Sequence, residues 1–195
     1  MKNSLILLVI LFVFAVDIHA STLEEIQARY SGYRDFVVSF SQDTVQILAN
    51  RTVHFTGTLS YKRDMGVRMD VYVPQRQVII LMEETVVIHL PEEGTSTVQE
   101  IPKEIAAQNI LGFFTGLISL DEVYEVNEAG DALVLTPRNG TGSMSIWTDE
   151  RNLLRKLIFR DATGNSSEIT LDGYAFDTGL SDDLFLFEFA PSPDE

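Results

Sequence analysis

The sequence predicts an α+β domain in which one N-terminal helix precedes a long antiparallel sheet. From Phe36 onward, apolar residues recur with period two in about eleven or twelve short runs, a pattern typical of antiparallel sheets. Residues 103–118, KEIAAQNILGFFTGLI, break this alternation and are rich in helix formers. A sheet of that many strands tends to curl, and helices are then needed to cover its concave face.

Residues 1–20 have the features of a secretory signal. Lys2 supplies a positive start, a 12-residue apolar run extends from Leu5 to Val16, and the small residue Ala20 ends the segment. The run is shorter than the roughly 20 residues that a membrane-spanning helix needs, although a membrane anchor is the alternative interpretation. We expect export, cleavage after Ala20 and a single domain over residues 21–195.

The first helix is predicted from its capping residues. Ser21 and Thr22 each precede a glutamate by three positions, which gives two overlapping capping boxes. The apolar positions that follow are spaced by three and four residues and share one face: Leu23, Ile26, Tyr30 and Tyr33. Gly32 indicates that the helix ends there.

Turn residues separate the predicted strands. They occur at 50–51, 64–66, 91–94, 127–130, 139–140, 149–152 and 163–165.

Composition and charge exclude several classes of function. The chain has no cysteine and a formal net charge of −15, so it forms no disulfide and carries no thiol chemistry. Its acidity argues against nucleic-acid binding and against adsorption to anionic lipid head groups.

Catalytic constellations are absent from the sequence. His54 and His89 stand without a partner motif, and paired acids such as Glu92-Glu93 fall at turns. We therefore expect a binding protein rather than an enzyme, with no catalytic residue, metal or cofactor. An enzyme acting on an acyl or glycan substrate is a distant alternative.

Two features could serve a binding function. The apolar residues of 103–118 fit either an ordinary core helix or a lid over a lipid-sized cavity, with Gly112 and Gly116 allowing it to move. Arg63 falls on the same side of the alternation as Leu59 and Tyr61. Taken alone, this position fits a turn arginine that points to water.

Five stretches in order resemble the periplasmic outer-membrane lipoprotein carrier family (LolA). They cover most of the chain from about Leu23 to Pro191, and their order is more specific than any one of them. The stretches are DFVVSFSQ (35–42), GTLSYKRDMGVRMDVYVP (57–74), LVLTP (133–137), LLRKLIFRDATGNSSEITL (153–171) and LFLFEFAP (184–191), the last resembling the closing strand of the family.

The resemblance implies an open antiparallel half-barrel of about 11 strands, with the N-terminal helix and short helices covering its concave, hydrophobic face. It implies a periplasmic monomer that shields lipoprotein acyl chains and moves them from the inner to the outer membrane. The implied partners are acylated lipoproteins, an inner-membrane releasing transporter and an outer-membrane acceptor lipoprotein. A lipid-binding sensor and a glycolipid carrier on the same fold are the alternatives.

The resemblance also assigns roles to residues. Arg63 matches the arginine that holds the lid closed in these carriers. By parity with it, the cavity wall would comprise Leu59, Tyr61, Met69 and Val71, and the lid would include Ile110, Phe113, Phe114 and Leu117. One departure from the pattern is Asp64, which replaces a proline and could pair with Lys62 or Arg63 and weaken the latch.

We predict that the exported protein begins at Ser21 and fractionates with soluble periplasmic proteins. N-terminal mass spectrometry of the fractions checks this. Recovery only in the membrane pellet, with Met1 still attached, would contradict it.

Overall fold

A computed structural model describes residues 22–82, 85–100 and 120–187. The helices are α1 (Leu23–Ser31), α2 (Leu120–Val123) and a 3-10 helix (Asp182–Leu184). The strands are β1 (Asp35–Gln46), β2 (Arg51–Lys62), β3 (Gly66–Val73), β4 (Gln77–Met82), β5 (Thr85–Leu90), β6 (Thr95–Glu100), β7 (Tyr124–Ala129), β8 (Ala132–Pro137), β9 (Ser143–Thr148), β10 (Leu154–Arg160) and β11 (Ser166–Phe176).

All eleven strands form one open antiparallel sheet, which confirms the predicted α+β class and strand number. Their order is β6-β5-β4-β3-β2-β1-β11-β10-β9-β8-β7, so β1 and β11 pair in the middle. The edge strands are β6 and β7, and the chain between residues 101 and 119 connects them. The short helices predicted within 103–118 lie outside the described residues.

Helix α1 defines the inner face of the sheet. Thr22 caps it with a capping box to Glu25, and Gly32 is its C-terminal cap, as the sequence predicts. Its buried side chains, Leu23, Ile26 and Tyr30, join the main apolar core. The ring of Tyr30 lies 5.5 Å from that of Phe36 on β1, so the core lies between α1 and the sheet.

Most of the predicted turns occur where the sequence places them, but the one predicted at 127–130 begins too early and is confirmed only at Gly130. Strand β7 continues to Ala129, and the turn to β8 needs only Gly130 and Asp131. Gly130 has a φ of 68°, a left-handed conformation that suits a tight hairpin. The polar residues of β7 reflect its exposure at a sheet edge and do not break the strand.

The outer face of the sheet carries the C-terminal strap, defined as residues 177–187. The predicted closing strand is wrong for residues 184–187, because the chain there forms the end of the 3-10 helix and an irregular segment. Residues 188–191 of that prediction lie outside the described part of the chain.

The buried carboxylate of Asp35 fixes the start of the strap. It accepts hydrogen bonds from the Thr178 backbone N–H (2.6 Å), the Thr178 hydroxyl (2.8 Å) and the Gly179 N–H (3.1 Å). Burial acts to raise the pKa of Asp35, but the hydrogen bonds outweigh it and hold the pKa below its ordinary value.

The rest of the strap is fixed by side chains of successive strands. Lys62 donates to the Leu180 carbonyl (2.5 Å) and forms an ion pair with Asp182. Arg68 donates to the Leu184 carbonyl (2.9 Å). The residue after that carbonyl, Phe185, is fully buried outside the main core.

We predict that Phe185→Ala destabilises the fold by about 3–5 kcal/mol, because truncating a fully buried phenylalanine removes its contacts and leaves a cavity. The neighbouring Leu186 is 56% exposed and provides the control, since Leu186→Ala should change stability by no more than about 0.5 kcal/mol. Urea denaturation of both variants measures the difference. Equal, small effects would show that the strap contributes little to stability.

Candidate functional site

The inner face carries a row of directly paired residues that runs from the middle of the sheet to edge strand β6. We call it the central row, and it comprises Val38, Leu59, Met69, Ile79, Ile88 and Thr97. Val38 and Leu59 are buried in the core, whereas Met69, Ile79 and Ile88 are only partly buried. The row is therefore apolar up to β5, yet becomes accessible as it leaves the middle of the sheet.

A parallel row behaves similarly. It comprises Phe36, Tyr61, Val67, Leu81, Val86 and Gln99. Its members are buried from β1 to β5 except for the partly buried Leu81, and the row ends at the exposed Gln99 on β6. Both rows thus change from apolar to polar at the same edge strand.

The structure places the four predicted wall residues on one face. Leu59 pairs directly with Met69, and the pairings of Tyr61 and of Val71 show that they share the same side. Leu59, Tyr61 and Val71 are buried in the core, while Met69 is partly buried and packs against that core. Their role as a cavity wall stays a prediction.

Three groups beneath the end of α1 form a closed hydrogen-bond cycle. The Tyr30 hydroxyl donates to the Tyr174 hydroxyl (2.9 Å), which donates to the Leu154 carbonyl (3.0 Å). The Leu154 N–H donates back to the Tyr30 hydroxyl (2.9 Å). The β9–β10 register shifts between Leu154 and Lys156, and a bulge of this kind leaves backbone groups unpaired. This cycle ties α1 to the sheet.

Burial dominates the electrostatics of this cycle. It raises the pKa of Tyr30 to about 12 and also raises the pKa of Tyr174, on which the neighbouring Tyr30 acts in the same direction. Both hydroxyls are therefore held in the neutral form that the cycle requires. Nothing in the sequence beyond the position of each tyrosine in an alternating or helical pattern indicated that they would meet.

Arg63 lies just after β2, in a turn, and its side chain is tied to the segment that ends α1. One guanidinium nitrogen donates to the carbonyls of Ser31 (2.5 Å) and Tyr33 (2.7 Å). The Arg63 backbone N–H donates to the Arg34 carbonyl (2.9 Å). The structure therefore connects Arg63 to α1, and its predicted contact with the lid stays a prediction.

The turn after Arg63 explains the departure at Asp64. Asp64 has a φ of 66°, a left-handed conformation that aspartate tolerates and that proline, fixed near −65°, does not adopt. The expected pairing of Asp64 with its neighbours does not occur within the described ranges, because Lys62 pairs with Asp182 and Arg63 binds carbonyls.

The predicted lid residues Ile110, Phe113, Phe114 and Leu117 lie outside the described residues. The chain re-enters the described part at Leu120, the first residue of α2, which is fully buried in the main core. The start of α2 therefore packs into the core on the inner side.

Both histidines have partners on a neighbouring strand of the sheet. His54 contacts Asp43 across β1 and β2 (2.7 Å), with both side chains exposed. His89 lies 2.9 Å from the Ser96 hydroxyl. Across the described ranges, no group of acidic and histidine side chains is arranged to bind a metal ion. None of the helices in those ranges is long and apolar enough to cross a membrane.

Comparison with known families identifies the chain. Residues 31–188 match the family described as outer membrane lipoprotein carrier protein LolA, which is most of the 195 residues. The chain belongs to the LolA family. A search of curated proteins by sequence found no match.

Several solved structures resemble the chain at low identity. A LolA superfamily protein from Nitrosomonas europaea is 12% identical, with a TM-score of 0.47, and the alignment covers 86% of this chain and 99% of that one. An outer-membrane lipoprotein-sorting protein domain from Vibrio parahaemolyticus is 15% identical, with a TM-score of 0.46 and coverage of 84% and 95%. The lipoprotein LppX of Mycobacterium tuberculosis is 11% identical, with a TM-score of 0.42 and coverage of 83% and 97%.

We predict that stability falls above about pH 10 because of the tyrosine cycle. Below the ordinary tyrosine pKa of 10.0, Tyr30 is protonated in both the folded and the unfolded state, so its full contribution to the free energy of unfolding is present. Between pH 10 and 12 the unfolded state loses its proton first, so roughly 2–3 kcal/mol is lost for Tyr30 alone.

Urea denaturation at about pH 9 and pH 11.5 measures this loss. The double variant Tyr30→Phe/Tyr174→Phe should lose less stability over that interval than the unmodified protein, whereas Tyr72→Phe, at an exposed tyrosine, should behave like the unmodified protein. If all three proteins lose the same free energy of unfolding between these two pH values, the cycle does not cause the loss of stability at alkaline pH.

Proposed function

We propose that the protein is a periplasmic carrier that shields the acyl chains of lipoproteins on its inner face and moves them from the inner to the outer membrane. The observation that carries this proposal is the central row, in which Met69, Ile79 and Ile88 are apolar, adjacent and partly accessible. Acyl chains would complete the burial of this surface, at about 0.8 kcal/mol per methylene group. Membership of the LolA family supports the choice of lipoprotein as cargo.

The finer parts of the proposal concern the cover and the partners. Residues of the 101–119 connection, including Phe113 and Phe114, would close over the acyl chain as a lid. Cargo would arrive from a releasing transporter of the inner membrane and leave to an acceptor lipoprotein of the outer membrane. Such a carrier breaks no bond and requires no cofactor.

Arg63 would act as the latch of the inner face. Its two hydrogen bonds fix the end of α1, where Tyr30 joins the same apolar core as Leu59 and Tyr61. An acyl chain that extends from Met69 toward the middle of the sheet would have to displace this end of the helix. Because Tyr30 still ties α1 to the sheet, release of the latch would loosen the helix end without detaching the helix.

We predict that an environment-sensitive acyl probe binds with an affinity that salt barely changes, because apolar burial drives the binding. Ile79→Ser should weaken probe binding by about tenfold. Val78→Ser is the matched control, since Val78 is the preceding residue on β4 and faces the outer side. Equal effects of the two variants, or strong weakening by salt, would contradict an inner-face apolar site.

We further predict that Arg63→Leu loosens the end of α1 and strengthens retention of the acyl probe. In the open state, the end of α1 is released from Arg63. Loss of the two hydrogen bonds shifts the equilibrium toward this state by about 5- to 150-fold. The probe then gains affinity, because the state that can bind it is more populated. Amide exchange at residues 30–33 and the probe dissociation rate measure these two effects.

Arg34→Leu is the control for this prediction. Arg34 is exposed at the same end of the sheet, and within the described ranges only its backbone forms hydrogen bonds. The control removes the same charge and should leave both measurements unchanged. If Arg63→Leu gives the same exchange and release as Arg34→Leu, Arg63 is only a turn residue and the latch is refuted.

Mass spectrometry of lipid extracted from the purified protein identifies the cargo class. Acylated peptides would support the lipoprotein carrier. A free glycolipid would favour a glycolipid carrier on the same fold.

A further inference from the structure

The turn between β1 and β2 exposes two adjacent aliphatic side chains. Leu48 is 90% exposed and Ile47 is 54% exposed, and both lie in the turn at residues 47–50. We call this turn the hairpin tip. Isolated surface leucines are common, but neighbouring exposed aliphatic residues at the apex of a hairpin form a convex apolar point.

The hairpin tip protrudes from one side of the sheet. Strand β2 pairs with β3 only from Thr56 onward, so Arg51–Phe55 extend past the end of β3 by roughly 17 Å, at about 3.4 Å per residue. This overhang separates the tip from the rest of the molecule on the β3 side.

The tip is held in place on its other side by the turn between β10 and β11. The Ile47 N–H donates to the Asn165 side-chain carbonyl (2.9 Å). The carboxylate of Asp161 in turn accepts from the Asn165 backbone and side chain and from Thr163. This hydrogen bond restrains the turn that presents Ile47 and Leu48 before any partner binds, which lowers the entropy cost of binding.

Arginines accompany this point in a chain whose net charge is −15. Arg51 opens β2 directly after the tip and donates to Gln46 (2.6 Å). Arg160 closes β10 at the same end of the sheet and is exposed. The carboxylate of Asp161, the residue after Arg160, accepts hydrogen bonds within its own turn, while Asp43 and Glu168 pair with each other about two residues farther along the strands.

We propose that the hairpin tip is a membrane-contact site. Ile47 and Leu48 enter the lipid head-group region, and Arg51 and Arg160 meet lipid phosphates. A convex apolar point offers no groove for a protein segment, whereas it can insert between lipids. The proposal rests on the proposed carrier function, since a carrier of acyl chains must approach both membranes, and it gives that approach a defined orientation.

Labelling at single cysteines tests the contact directly, because the chain has no cysteine of its own. Leu48→Cys carries a polarity-sensitive fluorophore, and Leu186→Cys, at an exposed leucine of the strap, is the matched control. Vesicles contain phosphatidylethanolamine with a smaller share of phosphatidylglycerol. The emission of the label at position 48 should shift to the blue on adding vesicles, and the label at 186 should not respond.

A second variant separates this proposal from the carrier function. Ile47→Ser/Leu48→Ser should lower the vesicle partition coefficient by about tenfold or more, while the affinity for the soluble acyl probe stays unchanged. Arg51→Gln should weaken vesicle binding, and more strongly for vesicles that contain phosphatidylglycerol than for vesicles of phosphatidylethanolamine with neutral lipid.

Three outcomes overturn the membrane contact. They are no spectral response at position 48, an equal response at both positions, and unchanged partitioning of the double serine variant. With probe binding intact, each of these outcomes refutes the contact site and leaves the carrier function standing; a response only to an added protein would identify the tip as a protein-docking site instead. If the unmodified protein does not bind the acyl probe, the carrier function itself is refuted.

Discussion

The pairing of β1 with β11 is the constraint on which the rest of the structure depends. Every other strand pair joins neighbours in sequence, so hairpins can form them locally. The β1–β11 ladder instead brings together residues about 130 positions apart, from Phe36 with Phe176 to Val45 with Ser166. Closing so long a loop is entropically costly and slow, but it places the first and last strands in the middle and leaves β6 and β7 as the edges.

That pairing also places the two covers of the sheet at one end. Asp35, at the start of β1, binds the first residues of the strap on the outer side. Two consecutive residues at the end of β2 then hold opposite covers: Lys62 binds the strap and Arg63 binds the end of α1.

The sequence predicted the elements whose cause is local. Thr22 and Glu25 are adjacent on the first turn of a helix, so the capping box could be identified from spacing alone. The alternation of Leu59, Tyr61 and Met69 likewise predicted a common face. By contrast, Tyr30 meets Tyr174 and the Leu154 backbone across separations of more than a hundred residues, and no local pattern encodes contacts between such distant segments.

The strap shows the same limit from the other direction. The residues LFLFEF alternate in the way that those of a strand do, and this alternation is what resembles the closing strand of the family. In the structure, Phe185 is instead fully buried on the outer side, because Lys62 and Arg68 bind the carbonyls that precede it. An alternating sequence is equally compatible with a strand that pairs within the sheet and with an irregular segment that packs on the outer face of the sheet.

An accessible apolar surface on an open sheet carries a risk of aggregation, and the edge strands show how this chain limits it. An edge strand offers unpaired backbone groups to other chains. Strand β6 is exposed throughout, and the two inner-face rows become polar there, at Thr97 and Gln99. On the opposite edge, the inner face of β7 is apolar at Tyr124 and Val126, which pack with the core, and becomes polar only at Glu128. The accessible part of the apolar surface is therefore bounded by a polar strand at the β6 edge, where a second sheet would gain little apolar contact by pairing.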